Sequence, residues 1–116
     1  MSDATCLFCR IIAGEIPADR VHEDDQVVAI NDINPVAPVH QLIMPRHHVG
    51  SAADLGEADG PLLGRLFDVA ARLAREAGLT ERGYRLVTNV GVDAGQSVPH
   101  LHVHLVGGRH FAWPPG

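Results

Sequence analysis

The chain is poor in the features that mark several large functional classes. It has two cysteines in 116 residues, three positions apart, which is too few for a disulfide framework, so covalent stapling is not the expected source of stability. Nine basic residues are scattered against fourteen acidic ones, for a net charge of -5. Binding to a phosphate backbone needs clustered Lys and Arg, and no such cluster is present. No apolar run approaches the ~20 residues of a membrane span, and Met1-Ser-Asp-Ala-Thr5 lacks the basic and apolar regions of a signal peptide. A cytoplasmic location is therefore expected, with no nucleic acid and no membrane as partner. Internal repeats and low-complexity tracts are also missing. What remains is 46% hydrophobic content, enough for one domain over residues 1–116, at a size where association adds useful burial.

The elements follow from periodicity and punctuation. Thr5 is placed to cap a short helix over residues 6–13 that Gly14 stops and Pro17 keeps from continuing. Residues 20–23 and 26–31, joined across Asp24-Asp25, read as a hairpin, and the charge run 23–25 as its solvated turn. Two prolines make 33–38 a loop; 40–44 is a third strand ended by Pro45, and 51–55 a short helical turn. Leu63, Leu66, Phe67, Ala70, Leu73, Ala74 and Ala77 recur at helical spacing, so the longest element spans Pro61 to Ala77, with Asp59 as cap, Arg72 and Arg75 at its negative end and Gly78 as stop. Residues 84–89 and 100–106 complete five strands. The order α, β-β-β, α, β-β has no repeated βαβ unit, so the fold class is α+β: a five-stranded antiparallel sheet with two main helices.

Chemistry concentrates in Gly95-Gln-Ser-Val-Pro-His-Leu-His-Val-His-Leu-Val-Gly-Gly108. His100, His102 and His104 alternate with Leu101, Val103 and Leu105, the pattern of a half-buried strand with an imidazole face and an aliphatic face. Neutral imidazole is a nucleophile and a base near neutrality. The upstream stretch from Gly91 to Ser97 combines glycines with hydroxyl and amide donors, and backbone N–H groups in such a turn hold an anion without Lys or Arg. An anion beside an imidazole is the geometry for attack at phosphorus. A His-x-His pair also suits a metal, and buried histidines also serve structure; on the residues alone these three readings weigh about equally.

The run His100-Leu-His-Val-His-Leu-Val106 resembles the histidine-triad (HIT) pattern. With Asp32-Ile33, Ala37-Pro-Val-His40, Pro45-Arg-His-His48, Asn89, Gly95-Gln-Ser-Val98, Gly107-Gly-Arg109 and Trp113-Pro-Pro-Gly116, nearly the whole chain is similar to the histidine-triad nucleotide-binding (Hint) branch. The C-terminal Trp-Pro-Pro-Gly favours it over the dinucleoside polyphosphate hydrolases. The resemblance implies a HIT-like sheet that joins its copy into a continuous ten-stranded sheet in a homodimer. It also implies a purine nucleoside 5′-phosphoramidase that releases the nucleoside monophosphate from AMP-amine conjugates, with no catalytic cofactor. His102 would attack phosphorus and carry a nucleotidyl intermediate, with His104 and His40 beside it and His100 completing the triad. Asn89, Gly95, Gln96 and Ser97 would hold the phosphate, Ser97 near the leaving amine. Asp32 would take the ribose hydroxyls, as carboxylates do in dinucleotide sites, and Phe8, Ile11, Ile30 and Ile33 would wall the base. Against these roles, Asp32 would serve equally to start a turn with Asn34-Pro35, and Asn89 to cap a strand end. Pro99 departs from the pattern, since many relatives carry an aromatic or other residue there; the leaving-group pocket is expected to differ.

Cys6-Leu-Phe-Cys9 has half of a zinc-site spacing, with His47-His48 and His100 as candidate nitrogen ligands. Some bacterial relatives hold a structural zinc through such cysteines and the positions equivalent to His48 and His100; inert burial of the cysteines is the alternative. His22 and His110 read as surface or packing residues. The arm 109–116 carries Trp113, which the resemblance directs toward a neighbouring subunit's active site, with packing on its own subunit as the alternative. Two other functions compete with phosphoramidate hydrolysis: a dinucleoside polyphosphate hydrolase, and a nucleotide-binding regulatory or interaction protein whose hydrolysis is incidental.

Overall fold

Alternation along the strands decides where the helices go. In the computed structural model, which describes residues 5–116, β1 (Arg20–Glu23), β2 (Val27–Asn31), β3 (Val39–Pro45), β4 (Tyr84–Val87) and β5 (Val103–Gly107) form one antiparallel sheet in the order β1-β2-β3-β5-β4. The fold is α+β with five antiparallel strands, as expected. Residues 1–4 lie outside the described residues. Val27, Ala29, Ile43 and Leu105 point to one face and pack against Leu66, Val69, Ala70 and Leu73 of α2 (Gly60–Glu76). Val28, Ile30, Leu42 and Met44 point to the other and pack against Phe8, Cys9 and Ile11 of α1 (Leu7–Ile12). β2 is thus buried on both faces, and each fully buried aliphatic side chain contributes roughly 1.5–3 kcal/mol.

The expectation of two main helices is corrected to one. α2 has 17 residues, whereas α1 has six, and so short a helix persists only through its tertiary contacts. Cys6, not Thr5, is its N-cap: Cys9 N–H donates to Cys6 Sγ at 3.2 Å. At the head of α2 the Asp59 carboxylate turns back to accept Gly56 N–H at 2.7 Å, so it does not cap the helix through its side chain. At the other end Gly78 adopts φ +75°. Gly78 N–H donates to Arg75 O and Leu79 N–H to Ala74 O, a complete Schellman stop. Phe67, read as part of the apolar stripe, is 49% exposed.

The histidine strand begins later than its alternation suggests, at Val103 and not at His100. His100 N–H donates to Val98 O at 2.8 Å, closing a three-residue turn around Pro99, and Leu101 N–H donates to Val49 O. These bonds draw residues 100–102 away from the ladder. The alternation of faces nevertheless continues: Leu101 and Leu105 sit in the α2 core, while the histidines stay on the α1 side. β4 likewise ends at Val87, leaving Asn89 in the following loop.

Candidate active site and metal cluster

The α1 face of the sheet carries two imidazole clusters that touch. In the first, His100 is fully buried. Its Nε2–H donates to Pro45 O at 2.8 Å, which leaves the Nδ1 lone pair facing Cys6 Sγ at 3.3 Å and Cys9 Sγ at 3.5 Å. His48 Nδ1 lies 3.3 Å from Cys9 Sγ and 3.1 Å from His100 Nδ1. All four donor atoms fall within 4.8 Å of one another. Ligands on a tetrahedral ion at zinc bond lengths are roughly 3.3–3.8 Å apart, so the donor set and its spacing fit a tetrahedral metal. His48, and not His47, completes the set. Burial pushes the Cys6 thiol up and the His100 imidazole down to about 4; a bound cation would reverse the first shift by stabilising the thiolate, and would take the imidazole in the neutral form that burial already favours.

In the second cluster, His102 donates Nδ1–H to His100 O at 2.6 Å. That bond fixes the tautomer and leaves the Nε2 lone pair for chemistry. Phe8 meets the ring edge-on with centroids 4.9 Å apart. His102 is pushed down by burial, with the His100 carbonyl and Asp32 opposing, so it is neutral near pH 7. His40 accepts Val36 N–H at Nδ1, 3.1 Å, and turns Nε2–H toward His104 Nδ1 at 2.9 Å and Asp32 Oδ2 at 3.3 Å. His104 therefore carries its hydrogen on Nε2, and burial with His102 and His40 nearby pushes it down to about 4. Asp32, His40 and His104 also fall within metal-ligand spacing of one another. There the hydrogen shared along the chain occupies the lone pairs an ion would need.

His102 and His104 line a cavity of about 640 Å³ with Phe8, Ile11, Ile30, Ile33, Asp32 and Ser97. Phe8, Ile11 and Ile30 are buried walls, and Ile33, 90% exposed, sits at the mouth. Asp32 makes the turn that was its alternative role, accepting Asn34 N–H at Oδ1, 2.8 Å, yet Oδ2 stays on the His40 side. Other expected site residues are elsewhere. Gln96 braces the loop: its amide donates to Gly50 O and Val98 O and accepts Gly91 N–H. Gly95 N–H and Gln96 N–H donate to Val92 O and Gly91 O, so the anion nest read into this loop is corrected at these two positions. Asn89 lines a neighbouring cavity with His40 and His104. Trp113 is 83% exposed and lines neither.

Two contributors were not legible in the chain. Thr88 Oγ1–H donates to His102 O at 2.9 Å, tying the nucleophile candidate to the end of β4. His22 is part of a network on the side of α2: Arg72 donates to Nδ1 at 2.7 Å and Nε2–H donates to Asp24 Oδ2 at 2.6 Å. Arg72 therefore serves this bond rather than the helix end. Burial works against the Asp24 carboxylate, but His22, two backbone N–H groups and Arg65 hold it well below the usual range. With both ring nitrogens engaged, this His–Asp pair has no free base and acts as a strap.

A family model described as the HIT domain matches residues 13–111. An uncharacterized HIT-like protein of Synechococcus elongatus is 47% identical over 116 residues, the full length of both chains. A HIT family hydrolase from Legionella pneumophila superposes with a TM-score of 0.95 at 49% identity, covering 97% of this chain and 100% of that one. A HIT family hydrolase from Clostridium thermocellum gives 0.93 at 44%, covering 96% of each chain.

Proposed function

The chain belongs to the HIT domain family, and from that premise we propose that it is a hydrolase of the Hint branch, a purine nucleoside 5′-phosphoramidase that cleaves the P–N bond of AMP-amine conjugates. The observation that carries this reading is the tautomer of His102. A ring whose Nδ1–H is tied to His100 O presents Nε2 as a neutral nucleophile at the wall of a cavity with apolar sides and a carboxylate. The cavity suits a purine between Phe8, Ile11 and Ile30, with Asp32 Oδ2 toward the ribose hydroxyls.

His102 Nε2 attacks phosphorus, the P–N bond breaks, and the amine leaves with the bonding pair and a proton that Ser97 relays from solvent. His104 Nε2–H donates to a phosphoryl oxygen, held in that tautomer by His40. Water then attacks the nucleotidyl-histidine, the P–N bond to His102 breaks, and the proton borrowed in the first half returns to solvent. The products are amine and nucleoside monophosphate. A zinc held by Cys6, Cys9, His48 and His100 would be structural, pinning α1 to the sheet. β4 is an edge strand, and pairing across it with a second copy would give the homodimer's ten-stranded sheet, with the exposed Trp113 reaching the partner.

The test is hydrolysis of adenosine 5′-phosphoramidate carrying a fluorescent amine, by the protein as purified and by His102→Ala. Release by the parent that collapses in the variant, with AMP binding kept, supports covalent catalysis. No release by a folded, AMP-binding parent moves the function to polyphosphate substrates or a binding role.

A further inference from the structure

The cavity beside His102 has apolar walls and is polar at both ends. At one end stand His102 and His104; at the other, before the start of β1 and at the end of β2, stand Asp19 and Asn31. The register of the sheet sets the distance between them. His104 faces Leu42 on β3, Leu42 faces Ile30 on β2, and Ile30 faces Arg20 on β1. Asp19, next to Arg20, is therefore three strand spacings, roughly 14 Å, from the histidines. An extended nucleoside monophosphate covers a comparable span. β1 is the edge of the sheet opposite β4, so this end is clear of the edge proposed for a second copy. The two side chains are bonded to each other: Asn31 N–H donates to Asp19 O at 2.9 Å, and Asn31 Nδ2–H donates to Asp19 Oδ2 at 2.7 Å. Among the described residues, Asp19 Oδ1 accepts no hydrogen bond and no arginine pairs with this carboxylate. Arg20 is spent on Glu23 and on the carbonyls of Ile11 and Ile12.

We infer that Asp19, held by Asn31, reads the edge of the base and makes the site prefer guanine to adenine. The inference rests on the phosphoramidase reading, which puts phosphorus at His102, and deepens it by naming the base. With ribose at Asp32 and the purine between Phe8 and Ile30, the Watson–Crick edge is the part of the nucleotide that extends toward β1. Guanine carries two adjacent donors on that edge, N1–H and the N2 amino group, and an ionised carboxylate offers acceptors alone. The two meet as a two-pronged, charge-assisted pair. Adenine turns the lone pair of N1 toward the same oxygens and has only its N6 amino group to donate, so one contact becomes repulsive. Hypoxanthine keeps N1–H and lacks the N2 group, so it makes one of the two bonds. Asn31 acts by fixing the carboxylate: its bond to Oδ2 leaves Oδ1, and one lone pair of Oδ2, to accept from a ligand. The steps at phosphorus are unchanged.

The experiment titrates GMP, IMP and AMP into the parent protein by calorimetry, which needs no turnover. GMP is expected to bind about fivefold more tightly than AMP, the low end for a two-pronged base contact because Asp19 is exposed, with IMP between them. Asp19→Asn keeps the size of the side chain and replaces one acceptor with a donor, and it is expected to bring the GMP-to-AMP ratio to about one or below. The order of the three nucleotides on the parent tests the inference without any variant, so it holds even if Asp19→Asn fails to fold. Equal affinities, tighter binding of AMP, or a guanine preference that survives in Asp19→Asn overturns the inference. Guanosine and adenosine 5′-phosphoramidates carrying the same fluorescent amine are then compared on the parent. Asp19-dependent GMP binding with no release from either conjugate supports the base contact, and it is the phosphoramidase reading that fails. Release from both conjugates, with GMP and AMP bound equally, leaves the phosphoramidase reading standing and sinks the role of Asp19.

Discussion

The cluster around His100 and the cluster around His102 are built from the same residue type, two positions apart, and differ in which ring nitrogen meets a backbone carbonyl. His100 gives its Nε2–H to Pro45 O and turns Nδ1 toward two thiols. His102 gives its Nδ1–H to His100 O and turns Nε2 into the cavity. The same imidazole thus becomes a candidate metal ligand in one place and a candidate nucleophile in the other. The comparison teaches that the carbonyl behind each ring, and not the alternation of the sequence, assigns the task.

The contrast breaks most sharply at His102. His102→Ala is expected to lower the phosphoramidate turnover rate by about a thousandfold or more, measured under single-turnover conditions, while bound metal and the melting temperature stay near those of the parent. A comparable loss of metal in that variant would mean the two clusters are one unit. Next is Cys9→Ala, expected to strip zinc measured by mass spectrometry and to lower Tm by about 10 °C or more, with turnover at low temperature kept within about tenfold. Turnover that vanished with the zinc would place the ion in the chemistry. Asp32→Asn should raise KM about tenfold with little change in kcat, since it removes a charge that faces bound ribose in both ground and transition states. A fall in kcat alone would instead assign Asp32 to His40.

The smallest effect is on stability against pH. His104 is held down to about 4 in the folded protein, against ~6.5 when unfolded. Above ~6.5 both states are neutral and the group has no effect. As pH falls from ~6.5 toward about 4, the unfolded chain binds a proton that the folded one refuses, so stability falls, by no more than about 1.4 kcal/mol per pH unit from this residue. His104→Gln should flatten the Tm profile across that window, and an unchanged slope would show that His104 titrates normally in the fold.

Much of this was legible in the chain because it depends on short-range regularity. The turn at Asp24-Asp25 and the prolines bounding short apolar runs located β2 and β3, period 3.6 with Pro61 and Gly78 located α2 to within a residue, and the spacing of Cys6 and Cys9 marked half of a metal site, whose other half, His48 and His100, was named through the family resemblance. What escaped depends on bonds between distant residues. Pro99 and the Val49 carbonyl move the start of β5 to Val103. Gln96 carries an amide fit for phosphate but spends it on Gly50 O and Val98 O. His22 had no patterned neighbour in sequence, because Arg72 reaches it from fifty residues away.

By itself, then, the sequence determined the periodicities, the punctuation and the inventory of imidazoles and thiols, because these are properties of residues and their near neighbours. The tertiary structure alone decided which nitrogen of each imidazole is free and which loop donors remain for a ligand. Those are questions of hydrogen-bond partnership, and the partners are carbonyls and side chains that folding brings in from far along the chain.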